Sequence, residues 1–173
     1  MRRIIVLLIT VSFFSCAKNV EEIKLNVTNE KAKINKVLDG WHSDAANADF
    51  EPYFNKMTST GVFIGTDAEE NWNITAFKNY SKPHFDKGRA WSFKAVERNI
   101  YVDENGAIAW FDELLNTHMG ICRGSGVLRK MNKSWKIEHY VLSLTIPNNN
   151  IDEVIKINKT KDSLLLNKLK RLN

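Results

Sequence analysis

Residues 107–147, AIAWFDELLNTHMGICRGSGVLRKMNKSWKIEHYVLSLTIP, constrain this chain more than any other stretch. Three runs of strand length, rich in β-branched and aromatic residues, are separated by polar breaks at 116–120 and 131–134. Breaks this short oblige successive strands to reverse direction, so the pattern predicts an antiparallel meander. Asp103-Glu104-Asn105-Gly106 places another hairpin before it, because Asn-Gly supplies the positive φ that tight turns need. Residues 91–102 alternate weakly, with Trp91, Phe93 and Ala95 against Ser92 and Lys94. They read as one long strand, bulged near Asn99.

Upstream the period is helical. Ile34, Val37, Leu38, Trp41 and Ala45 fall at i, i+3, i+4, i+7 and i+11, a single apolar stripe with His42 at its edge. Asp49 is placed to cap a short second helix that turns Phe50, Tyr53 and Phe54 inward, with Pro52 in the first turn. Residues 61–65 read as a short strand, stopped by Thr66-Asp67, where Asp67 can cap the turn that follows. A third helix begins at Thr75, carries Phe77, Tyr80, His84 and Phe85, and ends around Pro83. After Pro147, Ile151, Val154 and Ile155 open a terminal helix that Leu164, Leu165, Leu169 and Leu172 continue, and the first three are expected to pack on the domain. The sum is an α+β layer, with helices covering one face of a curved antiparallel sheet.

The amino terminus, MRRIIVLLITVSFFSC, has Arg2 and Arg3, then an apolar core, then Ser15 and Cys16. That is the layout of a secretory signal, and the apolar run is too short for a stable membrane span. Its ending resembles the lipobox of bacterial lipoproteins, with Phe13 where an aliphatic residue is usual. The resemblance implies cleavage before Cys16 and lipidation of its thiol. The expected organisation is a signal peptide at 1–15, a tether at 16–27, a globular domain at 28–148 and a helical tail at 149–173. The expected location is the bacterial cell envelope, exported and lipid-anchored, on the periplasmic or outer-membrane face. With Cys16 lipidated, Cys122 has no partner within the chain, which excludes a disulfide framework or cysteine metal site and leaves Cys122 as a small buried hydrophobe.

The formal net charge of +5 is not spread over the domain. Arg2 and Arg3 carry two of the five, and residues 148–173, with six basic and three acidic side chains, carry the other three. Residues 16–147 hold 17 of each sign, so no nucleic-acid partner is expected. The four histidines lack metal-ligand spacing, and no metal or cofactor is expected.

Candidate site residues come from the strands and the aromatics. Lys136 and Glu138 alternate with Trp135, Ile137, His139 and Val141, so His139 is expected inside the domain, as an acid/base or as a satisfied structural histidine. Asp112 and Glu113 are adjacent, so only one can face inward; Arg123 on the next strand is the expected partner, in a clamp for an anionic ligand or in a structural ion pair. Asp67 and His84 can act as an acid/base pair, or as a helix cap and a helix-terminal histidine. Trp41, Tyr53, Trp72, Trp91 and Trp110 can line an aromatic pocket or fill the core. Gly124 and Gly126 lack a phosphate-binding loop's context and mark a bend or a close approach.

Four segments, GVFIGTDAEENW, AWFDELL, RGSGVLRK and WKIEHYVLSLTIPN, with the first helix before them, resemble the SnoaL-like branch of the nuclear transport factor 2-like superfamily. WKIEHYVLS also resembles the last strand of the kinase association domain, which carries a second histidine where this chain has Val141. The resemblance implies a nuclear transport factor 2-like (cystatin-like) cone, a pocket between the sheet and the helices, and homodimerisation through sheets. The superfamily holds isomerases, dehydratases and cyclases beside binding and assembly domains, so the fold leaves function open. The expectation is an envelope lipoprotein that binds an unidentified small molecule or serves assembly. The alternative is an acid/base isomerase, dehydratase or cyclase using His139 with Asp112, Asp67 or His84.

Overall fold

A computed structural model describes residues 26–172. The expected signal peptide, Cys16 and nearly all of the expected tether lie outside the described residues. The order is α1 (Val27–Ala46), α2 (Phe50–Asn55), β1 (Met57–Ile64), β2 (Asn71–Asn73), α3 (Ile74–Phe85), β3 (Lys94–Val102), β4 (Ile108–Thr117), β5 (Gly120–Met131), β6 (Ser134–Leu144) and α4 (Ile151–Lys170), with a 3₁₀ turn before α4. The strands form one sheet in the order β2-β1-β6-β5-β4-β3. The meander β3–β6 is antiparallel as expected, but β1 joins β6 in parallel, so the curved sheet is mixed.

α1 to α3 close one face of this sheet into the expected cone. The α1 stripe forms as its spacing dictates: Ile34, Leu38, Trp41 and Ala45 are buried and Val37 partly so. Each large apolar side chain buried there contributes about 1.5–3 kcal/mol. Asn26 caps α1 through the Asn29 N–H, and Asn73 caps α3 through the Ala76 N–H. Asp49 stands at the N-cap position of α2 without making the side-chain bond its type suggests. Glu30 ties the start of α1 to the β5–β6 hairpin, accepting from the Trp135 indole at 2.7 Å and pairing with Lys130 and Lys33, each at 2.8 Å. Lys130 and Lys33 lower its pKa to about 2. The β5–β6 turn uses positive φ at Asn132 and Lys133, the backbone of a two-residue primed turn.

Two bulges depart from the expected alternation. In β3 the register shifts between Ala95 and Glu97, not near Asn99, and Val96 and Glu97 are both exposed. The inward phase then passes to Arg98 and Ile100. In β6, Ile137 pairs with Leu128 and His139 with Val127, so Glu138 is the extra residue. Before it Trp135 and Ile137 point inward; after it Tyr140 and Leu142 do. An inserted residue inverts every later side chain, and this places His139 and Val141 on the outer face, opposite to expectation.

The tail also differs. α4 forms over the expected residues but buries none of them; Ile151, Ile155, Leu164 and Leu169 are exposed and only Val154 and Leu165 are partly covered. Its ion pair with the domain is Lys168 to Glu69 at 2.6 Å. No helix among the described residues is long and apolar enough to cross a membrane.

Candidate functional site

The interior of the cone has two ends with different chemistry. At the closed end Glu113 of β4 is fully buried under α1. Its Oε1 lies 2.8 Å from His42 Nε2 and accepts from the Tyr140 hydroxyl at 3.1 Å; its Oε2 accepts from Arg98 Nε at 2.8 Å. Arg98 Nη1 continues to Asp39 at 2.7 Å and Asn35 at 3.0 Å on α1. Burial opposes ionisation of Glu113, but His42 and Arg98 outweigh it and hold the carboxyl below its ordinary range. Burial, then Glu113, push the Tyr140 hydroxyl well above the tyrosine range. Gly124 sits across from Glu113 in the ladder, and a methyl there would overlap the Tyr140 hydroxyl. Gly126 likewise admits the His139 carbonyl and the Phe111 ring. The close approach expected of these glycines is what lets tyrosine and glutamate meet.

At the open end a cavity of about 270 Å³ lies between β1, β2, α3, the segment before β3 and the β4–β5 turn. Its walls are Phe63, Trp72, Phe77, Trp91, Phe93 and Leu142, and its polar groups are Thr66, Glu70, Tyr80, His84 and His118. Behind the wall Trp41 stacks on Tyr53 at 4.9 Å and meets Tyr140 edge-on at 4.7 Å. The Trp41 indole N–H and Tyr53 hydroxyl are buried with no hydrogen-bond partner among the described residues. Burial pushes the Tyr53 hydroxyl well above its ordinary range, the Trp91 indole opposing it.

The expected site residues divide four ways. Trp72 and His84 line the cavity, together with Trp91. Trp41 and Tyr53 are core residues that support its wall. Trp110, Asp112, Arg123 and His139 are all on the outer face: Trp110 stacks on Tyr101 at 5.8 Å, and Arg123 lies 3.7 Å from Asp112. Arg123 is therefore not the partner of the buried carboxylate; Arg98, brought inward by the β3 bulge, takes that place. Asp67 caps its own loop through the Glu69 N–H at 2.9 Å, and it is Glu70, not Asp67, that shares the cavity with His84. No other pairing proposed for acid/base work is assembled: His139 and Asp112 face away from the cavity, and no group of three potential metal ligands occurs among the described residues. Cys122 is fully buried and free.

Arg98, Tyr140 and Glu70 were not expected. Tyr140 and Arg98 are hidden by the two bulges, and Glu70 by a loop that no periodicity describes.

Comparison with solved structures returns the same architecture. An NTF2-like protein of unknown function from Pseudomonas putida aligns with TM-score 0.59 at 12% identity, covering 70% of this chain and 90% of that one. A protein of unknown function with a cystatin-like fold from Nostoc punctiforme aligns with TM-score 0.57 at 14% identity, covering 71% and 96%. A candidate dehydratase of the NTF2-like family from Streptomyces avermitilis aligns with TM-score 0.58 at 12% identity, covering 69% and 99%. At these identities the likeness concerns the fold. No curated protein sequence matches the chain. The profile of the SnoaL-like domain, by contrast, matches residues 34–147, most of the chain and nearly all of the cone, and the chain belongs to the SnoaL-like domain family.

Proposed function

We propose that this chain is an exported, lipid-anchored envelope protein whose SnoaL-like domain binds a small molecule in the open-end cavity without transforming it. The observation that carries the reading is the division of the interior. The coupled acid/base pair, His42 and Glu113 at 2.8 Å, is used up by Arg98 and Tyr140 and does not line the cavity, whereas the cavity offers aromatic walls and a few polar groups. That composition is typical of a ligand site. Anchoring rests on the signal-like amino terminus and Cys16. Homodimerisation through the outer sheet face is part of the proposal, supported by the exposed Tyr101, Ile108 and Trp110.

Native mass spectrometry of the protein from its own host tests the central claim. A co-purifying small molecule, lost on Trp72→Ala, is the expected result; a chain that never carries one and binds no small aromatic probe overturns it. Cys16→Ala is expected to release the protein from the membrane fraction. The enzymatic alternative has one specific support, two histidines and a carboxylate on the same cavity, and turnover of the recovered ligand that is lost on His84→Ala would favour it.

A further inference from the structure

Glu70 is the one carboxylate on the cavity, and no Lys or Arg lines it. None of the ion pairs among the described residues uses Glu70. Its Oε2 accepts a 3.2 Å bond from the Asp67 backbone N–H and folds back over Gly65, whose missing side chain leaves the room. The Tyr80 ring lines the same cavity, and burial, then the charge of Glu70, push its hydroxyl above the ordinary tyrosine range. A carboxylate without a cation, beside aromatic rings, is a site with unspent attraction for positive charge.

The rings around it share an orientation. Phe63 and Phe77 stack at 4.1 Å and 17°, Trp72 and Tyr80 at 4.3 Å and 24°. Trp72 lies within 11° of parallel to Phe77, and Trp91 within 26°. A set of nearly parallel rings favours a flat guest lying in the same plane, because offset stacking then continues through it. Histidines aside, no side chain on the cavity can become positive, so an anionic guest finds no fixed counter-charge.

From this we infer that the cavity selects planar organic cations: a flat aromatic or conjugated body against the ring stack, its positive charge at Glu70 beside Trp72 and Tyr80. The inference rests on the reading of the cavity as a ligand site and names the class of ligand.

The test is calorimetric titration of the full chain at pH 8, where an ordinary imidazole carries no charge. The probes are 1-methylquinolinium, 2-naphthol and 2-naphthoate, two-ring molecules of one footprint and three charges. The cation is expected to bind about tenfold tighter than 2-naphthol, with 2-naphthoate weakest. Glu70→Gln, which keeps an acceptor for the Asp67 N–H, is expected to cut the cation's advantage to about twofold or less and to leave 2-naphthol unchanged. Equal or tighter binding of 2-naphthol or 2-naphthoate in the unmutated chain overturns the inference while the ligand-site reading stands. So does a cation preference that survives Glu70→Gln. Failure of all three probes to bind removes both.

Discussion

The inner and outer faces of the sheet treat the same side-chain chemistry in opposite ways, and Asp112 and Glu113, neighbours on β4, show it. Glu113 points inward, is fully buried and has three side-chain partners within 3.1 Å. Asp112 points outward, with a side chain 32% exposed, and has Arg123 at 3.7 Å and Asn99 at 3.2 Å. The inner carboxylate is a joint between α1, β3 and β6, since its loss would leave Arg98 with Asp39 alone and would take from His42 and the Tyr140 hydroxyl the partner they share. The outer one belongs to a loose, solvated pair of the kind worth about 0–1 kcal/mol. The lesson concerns function as well: a dense charged cluster marks the part of the cone where charge is already satisfied, and a carboxylate without a charged partner, Glu70, marks the aromatic cavity.

The sharpest way to break this contrast is Glu113→Ala, expected to cost about 3–5 kcal/mol in urea unfolding because it removes the buried partner shared by Arg98, His42 and Tyr140. Gly124→Ala is next, about 1–3 kcal/mol from overpacking against the Tyr140 hydroxyl. Adding Tyr140→Phe removes the most strongly overlapped atom, so the double variant is expected to be more stable than Gly124→Ala alone, which a double-mutant cycle reads directly. Acid probes the buried carboxylates together. Glu30 and Glu113 both have depressed pKa values in the folded chain, so the stability they confer is complete above the unfolded value and is lost as pH falls through the folded one. For Glu30 that window runs from 4.5 down to about 2. The melting temperature is expected to drop across it, less steeply in Glu30→Gln. Asp112→Asn is expected to stay within about 0.5 kcal/mol of the parent, and a larger loss would make the outer pair structural after all. Smallest of all, stopping the chain after Asn149 is expected to leave the melting temperature of the cone nearly unchanged, because no residue of α4 is fully buried on it.

The parts of this structure that follow a single period were legible. The α1 stripe repeats at 3.6 residues and β4 and β5 at 2, and the hairpins are punctuated by turn chemistry. The misplacement of His139 and the oversight of Arg98 and Tyr140 share one physical cause. Val96 and Glu138 each add a residue to one strand of a pair, and nothing in local composition announces the addition. From there on, a strand read by alternation is read inside out. His139 was thus expected within and lies without, while Arg98 and Tyr140 were passed over and proved central. The cavity was legible only in its aromatics, Trp72 and Trp91, and in His84, because the remaining polar groups arrive on loops. The α4 helix shows a different limit: its amphipathic pattern states that it is a helix, and an apolar stripe by itself does not name what covers it.

The parallel pairing of β1 with β6 also dictates an order of events. β3 to β6 are joined by short turns and can pair as soon as each is made, so their contacts are local. β1 must wait: its long partner is the last strand of the sheet, with α3 and the rest of the meander between them. Loop closure over such a span is the slow part of folding. A ribosome-bound chain that has not yet emerged through Leu144 therefore cannot finish the cone, and Phe63 can meet Phe77 of α3 but not Tyr140 until the end. Pulsed hydrogen exchange during refolding should find the amides of β1 protected after those of β4 and β5.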